Sequence, residues 1–242
     1  MRSGSLSRSV DMIPDGASQM TGGFMAVGTP ERVIDEVVRQ RKCGLTVIAN
    51  DAAMPGKGAL QAHRGQAGAK VIASHIDLNP QAKQMMAHEL DVELVPQGTL
   101  IERTRAGGYG LGSILTQTGV GTSAEQGKQR IRVDRKDYVV EVALRADFAL
   151  VQAFIADYLG NLSYALTAHN FNPLAPKIVR QCTLPITSRR PVDLVVTEMA
   201  VIAFPKGRAT LLETAPGTTP DQVVAATQAE LVAPRDVAEM PA

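Results

Sequence analysis

The chain has 242 residues and a formal net charge of +1, from 25 Lys and Arg against 24 Asp and Glu. Its 45% hydrophobic and 20% charged residues are typical of a globular domain and exclude a collagen, a coiled coil and a low-complexity chain. A net charge near zero argues against a general nucleic-acid or membrane-surface binder. Aromatic residues make up only 4%, whereas there are 21 Gly and 14 Pro. We therefore predict an aliphatic core and tight turns in an α/β domain.

The cysteines and the chain ends indicate where the protein works. Cys43 and Cys182 lack metal-site spacing and cannot make a disulfide framework, so we predict reduced thiols and a cytoplasmic location. The longest apolar stretch, residues 148–156, is too short to span a bilayer. Residues 1–10 are rich in Arg and Ser, like a transit peptide, but are short for one. We predict a flexible N-terminus over residues 1–10 and a flexible tail over residues 234–242.

The first half of the chain alternates between predicted strands and helices. Thr29 as N-cap and Pro30 as the first helical residue predict a helix that ends before Gly44. Short apolar runs predict buried strands at residues 45–49, 71–73 and 92–95, with further helices from residues 79 and 98. Nearly continuous apolar strands indicate a sheet that is covered on both faces. The predicted fold is α/β, with an open, mostly parallel sheet flanked by helices.

After Gly112 the pattern changes to that of antiparallel hairpins. Residues 130–144 alternate between polar and apolar side chains around a turn at residues 134–137, which predicts a hairpin. Further strands are predicted at residues 148–155, 194–196 and 201–204, and Thr219 is predicted to cap a last helix. Since no linker is evident, we predict a single domain over residues 11–233.

The loop from Gly22 to Thr29 joins a predicted strand to a helix N-terminus. Glycines let a ligand approach the backbone, and the free N–H groups of a helix start favour phosphate or carboxylate. A tight turn that serves only strand–helix packing explains the same glycines equally well. Gln97 and Gly98 lie where a strand meets the next helix. Ligands of open α/β sheets bind at that edge, although Gln97 could simply cap the turn.

Several motifs occur together in one order: Asp15–Gly16 and residues 22–30, 96–108, 118–122 and 157–161. Together they resemble the A (alpha) subunit of the family I 3-oxoacid/acetate CoA-transferases. Residues 73–76 and 145–174 resemble the alpha subunits of bacterial acetate CoA-transferases especially closely, and residues 11–175 are A-like overall. Gln19 and Thr21 depart from the resemblance, because apolar residues are usual there; Gln117 stands where proline is usual. Residues 176–233 instead resemble the C-terminal part of the B (beta) subunit.

This resemblance implies a fold of the CoA-transferase/sugar-phosphate-isomerase type and a ping-pong reaction. In the family, a B-subunit glutamate in a Ser-Glu-Asn-Gly motif attacks an acyl-CoA, and CoA then passes through a glutamyl thioester to a carboxylate such as acetate or acetoacetate. Ser-Glu-Asn-Gly is absent from this sequence, so the resemblance implies a partner B subunit in a hetero- or homo-oligomer. Coenzyme A is expected as substrate and covalent carrier, with no metal, nucleic-acid or membrane partner, in short-chain fatty-acid or ketone-body metabolism.

The resemblance also assigns candidate site residues. The CoA-binding segment would be Gly22, Gly23, Phe24, Met25, Ala26, Val27 and Gly28, with Gln97, Gly98, Gly119 and Gly121 as neighbours. Asp51 falls near the place of the B-subunit nucleophile by pseudo-symmetry, but a strand-end acid that bonds nearby N–H groups is the more ordinary interpretation. Glu198 and Glu213 are expected to be structural or surface acids. His75 ends a strand, where a hydrogen-bonded role is expected, and no histidine pair has metal-site spacing.

Two alternatives remain open from the sequence. Because the nucleophile motif is absent, the chain could be a catalytically inactive CoA-binding or assembly protein. A sugar-phosphate isomerase or hydrolase on the related fold is a third and weaker hypothesis, since the A-subunit motifs are the specific signal.

Overall fold

The computed structural model describes residues 6–63, 69–87, 90–152, 155–156, 162–164, 166–170, 172, 194–196, 199–227, 230–234 and 236–240. The helices are α1 (Leu6–Asp11), α2 (Glu31–Arg39), α3 (Pro80–Met86), α4 (Gln97–Gly108) and α5 (Pro220–Ala226). The strands are β1 (Ser18–Thr21), β2 (Thr46–Ala49), β3 (Ala69–Ala73), β4 (Leu90–Leu94), β5 (Ser113–Thr116), β6 (Arg130–Val133), β7 (Lys136–Val142), β8 (Phe148–Leu150), β9 (Ile155–Ala156), β10 (Leu162–Ser163), β11 (Leu194–Val196), β12 (Ala200–Ala203), β13 (Thr210–Thr214) and β14 (Ala238–Glu239). Cys182, Glu198 and the predicted motif at residues 157–161 lie outside the described residues.

A five-stranded parallel sheet in the order β4-β3-β2-β1-β8 is the largest sheet among the described residues. Each neighbouring pair of its strands is parallel, so the carboxyl ends of all five strands meet at one edge. This confirms the predicted α/β fold with an open, mostly parallel sheet.

Three smaller sheets supply the predicted antiparallel hairpins. They are β5-β7-β6, the pair β10-β9, and β11-β12-β13-β14, whose last pair is parallel. Asp134 and Arg135 join β6 to β7 with φ of 47° and 63°. Left-handed conformations at both positions form the two-residue turn that matches the twist of a hairpin.

Alternation along the strands directs apolar side chains to both faces of the parallel sheet. Val47 packs in one buried cluster with Val71 and Leu60. Its neighbour Ile48 packs in another, against Leu100 of α4. Helices α1 and α2 contribute Val10 and Val37 to a third cluster. Covering both faces excludes water from the strands and leaves the loop edge as the accessible part of the sheet.

Parts of the two chain ends that we predicted to be flexible form regular structure. Leu6–Asp11 form α1, in which Leu6 and Val10 are 7% and 0% exposed. At the other end, β14 pairs with β13, and Met240 is 2% exposed. Burial of these apolar side chains favours this packing, because each would otherwise expose hydrocarbon to water. The flexibility of the two ends stays a prediction.

The helix boundaries follow some of the predicted signals and not others. Thr219 forms a complete capping box with Gln222 at the start of α5, as predicted. Thr29 is not the N-cap of α2, because the helix begins one residue later and Pro30 takes that position without a side-chain cap. The helix predicted from residue 98 is α4, which begins at Gln97 and has Gly107 and Gly108 as its last two residues.

Glu213 connects the second part of the chain to the N-terminus. It lies on β13, is 1% exposed, and accepts a hydrogen bond from the backbone N–H of Leu6. Burial raises the pKa of its carboxyl above the usual value, and the hydrogen bond from Leu6 offsets part of that effect. Glu213 is therefore a buried acid rather than a surface one. No helix in the described ranges is long and apolar enough to cross a membrane.

Candidate functional site

The loops at the carboxyl edge of the parallel sheet bring polar side chains together. The glycine loop, residues 22–28, follows β1; Asn50 and Asp51 follow β2; Ser74 and His75 follow β3. Helix α4 begins at the same edge after β4. Ligands bind at this edge in open α/β sheets because loop residues and helix N-termini converge there.

The glycine loop is a miniature hairpin. Phe24 N–H donates to Val27 O at 3.0 Å, and Val27 N–H donates to Phe24 O at 2.9 Å. Met25 and Ala26, at its tip, have φ of 49° and 68°. Left-handed backbone at two non-glycine residues costs on the order of 1 kcal/mol each and persists only where the surroundings impose it. The sequence predicted a glycine loop here, but not that its strain would fall on Met25 and Ala26.

Three glycines are required by the close packing of this loop. A Cβ on Gly22 would lie 1.8 Å from Asn172 Oδ1, and one on Gly23 would lie 2.1 Å from Thr29 Oγ1. Gly28, with φ of 76°, would place a Cβ 2.6 Å from Asn172 Nδ2. The packing interpretation therefore holds at these positions, and CoA binding by the loop stays a prediction.

Asp51 anchors the hairpin to β2. It is 6% exposed, and its Oδ2 accepts hydrogen bonds from Met25 N at 2.9 Å and from Asn50 Nδ2 at 3.1 Å. Its Oδ1 accepts from Ala53 N at 2.6 Å. Both carboxylate oxygens are thus committed to nearby N–H donors. This arrangement favours the strand-end interpretation of Asp51 over that of a nucleophile.

Replacing Asp51 with asparagine is expected to free the hairpin, because one of the two sites that accept hydrogen bonds becomes an NH₂ donor facing other donors. The free energy of unfolding should fall by about 1–3 kcal/mol, and the Met25 amide should exchange its hydrogen faster. Urea unfolding and hydrogen exchange measure these changes. Asp77→Asn is the control, since Asp77 is exposed and its ion pair with Lys83 should contribute little. Unchanged exchange at Met25 would contradict the anchoring role.

Asn50 links the strand ends to the start of α4. It is fully buried, and its Oδ1 accepts a hydrogen bond from Gln97 Nε2 at 2.7 Å. Ser74 Oγ donates to Asn50 O at 2.7 Å and lies 3.1 Å from His75 Nδ1. The His75 ring in turn lies against Phe24, with ring centroids 6.0 Å apart. His75 thus has the hydrogen-bonded position that we expected, within a network from α4 to the glycine loop.

A cleft of about 910 Å³ opens beside this network. Among the predicted site residues, Phe24, Gln97 and Gly98 line it. Asn50 also lines it, together with residues of α4 and β5. Pro96 is the N-cap of α4 and makes no side-chain cap bond, so the first N–H groups of the helix are available to an anion or a developing oxyanion.

Gly119 and Gly121 lie in a loop that contributes to the cleft, and their role as neighbours of the site stays a prediction. Neither is among the described residues that line the cleft, whereas Thr116 and Thr118 from the same loop are. Their φ values of 91° and 75° show that they shape the turn. Gly121 N–H also donates to Glu125 Oε2 at 2.6 Å. Their contribution to the cleft is therefore the path of the backbone that presents the two threonines.

Charged side chains fix α4 on the sheet from outside the cleft. Arg103 Nε donates to Val142 O at 2.7 Å, and its guanidinium pairs with Glu93 at 3.0 Å. Burial raises the pKa of the Glu93 carboxyl, but hydrogen bonds from Lys70 and Arg103 outweigh this and hold the pKa below its usual value.

In the part of the chain that the structure describes, no Lys or Arg lines the cleft itself, and no cluster of His, Cys, Asp or Glu could hold a metal ion.

Comparison with known protein families decides the assignment. Residues 5–226 match the family described as coenzyme A transferase. The chain belongs to the coenzyme A transferase family. Its sequence is 46% identical over 194 residues to the alpha subunit of the acetate CoA-transferase of Escherichia coli (strain K12), which covers 78% of this chain and 88% of that protein. It is 42% identical over 172 residues to a succinyl-CoA:3-ketoacid coenzyme A transferase chain, the A subunit, of Xanthomonas campestris pv. campestris (strain B100), covering 71% of each.

Solved structures of coenzyme A transferases share the fold. An acyl-CoA transferase from Escherichia coli O157:H7, in a thioester complex with CoA, superposes with a TM-score of 0.61 at 20% identity, covering 68% of this chain and 38% of that one. The predicted resemblance to the A-type chain of family I is confirmed. The resemblance of residues 176–233 to the end of a B subunit, and the single-domain organisation over residues 11–233, stay predictions.

Proposed function

We propose that this coenzyme A transferase is the A (alpha) subunit of an enzyme that moves CoA between a short-chain acyl-CoA and a carboxylate such as acetate or acetoacetate. The observation that carries the proposal is the 46% identity to the alpha subunit of an acetate CoA-transferase over 88% of that protein. A partner B subunit supplies the catalytic glutamate, because this sequence has no Ser-Glu-Asn-Gly motif and both oxygens of Asp51 are bonded.

The cleft offers the groups that such a reaction requires from this chain. Because a carboxylate is a weak nucleophile, donors must stabilise the oxyanion formed each time a thioester or anhydride is attacked. The uncapped N–H groups at the start of α4 lie at the cleft, beside the Gln97 side chain that Asn50 orients. These groups can provide that stabilisation once the partner's glutamate enters.

We assign CoA binding to the glycine loop from Gly22 to Gly28. Support comes from its position at the carboxyl edge of the sheet and from its exposed side chains. Phe24 and Val27 are 37% and 47% exposed, so they can contact an apolar part of a ligand.

The test combines the purified chain with a B subunit that carries Ser-Glu-Asn-Gly. CoA should then pass from an acyl-CoA to acetate or acetoacetate, and trapping followed by mass spectrometry should find a CoA adduct on a glutamate of the partner. Without the partner, transfer should stay at background. Absence of the adduct in an active mixture, or an adduct on this chain, would contradict the division of labour.

A second candidate function rests on the missing nucleophile motif. The chain could bind CoA, or assemble with other subunits, without taking part in catalysis. In that case calorimetry would detect CoA binding while transfer stays at background with every partner. Transfer with a B subunit would exclude this alternative.

We propose a cytoplasmic hetero-oligomer that acts in short-chain fatty-acid or ketone-body metabolism. The acids named for the relatives support the metabolic assignment, and the few cysteines support a reducing compartment. Coenzyme A is the substrate and covalent carrier, and the chemistry needs no metal.

A further inference from the structure

We propose that Asn172 is a positioning residue that sets the shape of the glycine loop and thereby the affinity for acyl-CoA. The inference rests on the proposed function, since it assumes that residues 22–28 bind CoA. Asn172 is fully buried. It hydrogen-bonds Gly28, which lies 144 residues earlier in the sequence. It joins the end of the A-like segment to the loop that follows β1.

The Asn172 side chain uses both halves of its amide. Nδ2 donates to Gly28 O at 2.8 Å and to Ala168 O at 3.1 Å. Oδ1 accepts from Gln152 N at 3.3 Å. An amide can donate two hydrogen bonds and accept another at the same time, whereas a carboxylate would face the two carbonyl oxygens without a donor. The site is therefore specific for asparagine among side chains of this size.

The loop needs such a constraint because its tip is strained. Met25 and Ala26 hold left-handed backbone, which relaxes unless both ends of the hairpin are fixed. Asp51 fixes one side through Met25 N. On the other side, Asn170 Nδ2 donates to Val27 O at 2.9 Å, and Asn172 bonds the next carbonyl, at Gly28. The exposed side chains of the hairpin are thus presented by a backbone that is held from two directions.

Asn172 also explains why position 22 requires a glycine. A Cβ there would lie 1.8 Å from Asn172 Oδ1 and 2.7 Å from its Cγ, and its three nearest atoms all belong to Asn172. Gly22 does not have the left-handed φ that disfavours alanine. The two residues therefore form a complementary pair: the amide occupies the space that the glycine leaves, and Asn172 is the chief obstacle to alanine at position 22.

The first experiment measures steady-state kinetics of the complex with a B subunit. Asn172→Asp should raise KM for acyl-CoA by about tenfold, the equivalent of one or two lost buried hydrogen bonds. KM for the acceptor carboxylate and kcat should change less than about twofold, because the groups at the start of α4 are untouched. Calorimetry on the chain should show the same loss of CoA affinity.

Asn79→Asp is the matched control. Asn79 is also fully buried, donates to Ala52 O at 2.9 Å and accepts from Gln81 N at 3.1 Å. Its hydrogen bonds therefore join α3 to the loop after β2, and neither is made with the glycine loop. The variant should lower stability while leaving KM for acyl-CoA unchanged. Equal increases in KM for both variants would assign the effect to general destabilisation and overturn the inference.

The second experiment uses the complementary pair. Gly22→Ala should weaken acyl-CoA binding strongly. Adding Asn172→Gly should raise the affinity of that variant for acyl-CoA at least about threefold, because it removes the clashing amide. Losses that simply add would overturn the inference. A wild-type complex that neither binds CoA nor transfers it would instead contradict the proposed function, and the inference with it. Normal wild-type activity with an unaltered Asn172→Asp enzyme would contradict the inference alone.

Discussion

Replacing Gly107 with alanine is expected to lower the free energy of unfolding by roughly 2–3 kcal/mol, near the upper end of overpacking costs. The new Cβ would lie 1.9 Å from Leu144 O and 2.9 Å from Leu144 C. Because these are backbone atoms, no rotation of a side chain can relieve the contact. Helix α4 would have to move away from the segment that follows β7.

That movement would break the contacts that fix α4. Leu144 N–H donates to Arg103 O at 2.9 Å, and Arg103 Nε donates back to Val142 O at 2.7 Å. The same helix carries Gln97 at its first turn, where it bonds Asn50. The variant should therefore lose transfer activity as well as stability, since catalytic groups must stay within well under an ångström of their positions.

Gly108→Ala supplies the control one residue along the same helix. No atom lies within 4 Å of its added Cβ among the residues that the structure describes, and its φ is not in the left-handed region. Alanine should be neutral there, or stabilise by up to about 1 kcal/mol through its helix propensity. Urea unfolding of the two variants measures the difference. Equal stabilities would contradict the close approach of α4 to Leu144.

The strands were the most predictable part of the fold, because a buried parallel strand leaves a local signal. The apolar runs at residues 45–49 and 71–73 each coincide with a strand, β2 and β3, to within two residues. The packing of the chain ends leaves no such local signal. Val10 and Met240 are buried against residues from distant segments. No local pattern in residues 1–10 or 234–242 predicts those contacts.

The candidate site divides along the same line. Gln97 and Gly98 were predictable because a strand–helix junction marks the carboxyl edge of a sheet. The bonds that orient Gln97 and fix Gly28 come from Asn50 and Asn172, at sequence separations of 47 and 144. An asparagine after a strand or in a late loop has many ordinary roles. Only the tertiary structure shows that these two face the loops of the cleft.

Gln19→Met is expected to raise the free energy of unfolding by about 1–3 kcal/mol, the cost of leaving a buried polar group unbonded. Gln19 is fully buried on β1, between Val47 of β2 and Phe148 of β8. Within the part of the chain that the structure describes, neither its Oε1 nor its Nε2 has a hydrogen-bond partner. Methionine has a similar length and no group that requires a hydrogen bond, so it should fill the same space.

Gln40→Met is the matched control with the opposite expected sign. Gln40 Nε2 donates to Ser7 O at 2.6 Å and to Glu36 Oε1 at 2.8 Å, so its loss should lower stability by about 1–2 kcal/mol. Gln19 is also a departure from the A-subunit resemblance, in which an apolar residue is usual at that position. If both variants lose stability, a partner such as a buried water hydrogen-bonds the Gln19 amide. The glutamine at position 19 would then stabilise the fold rather than destabilise it.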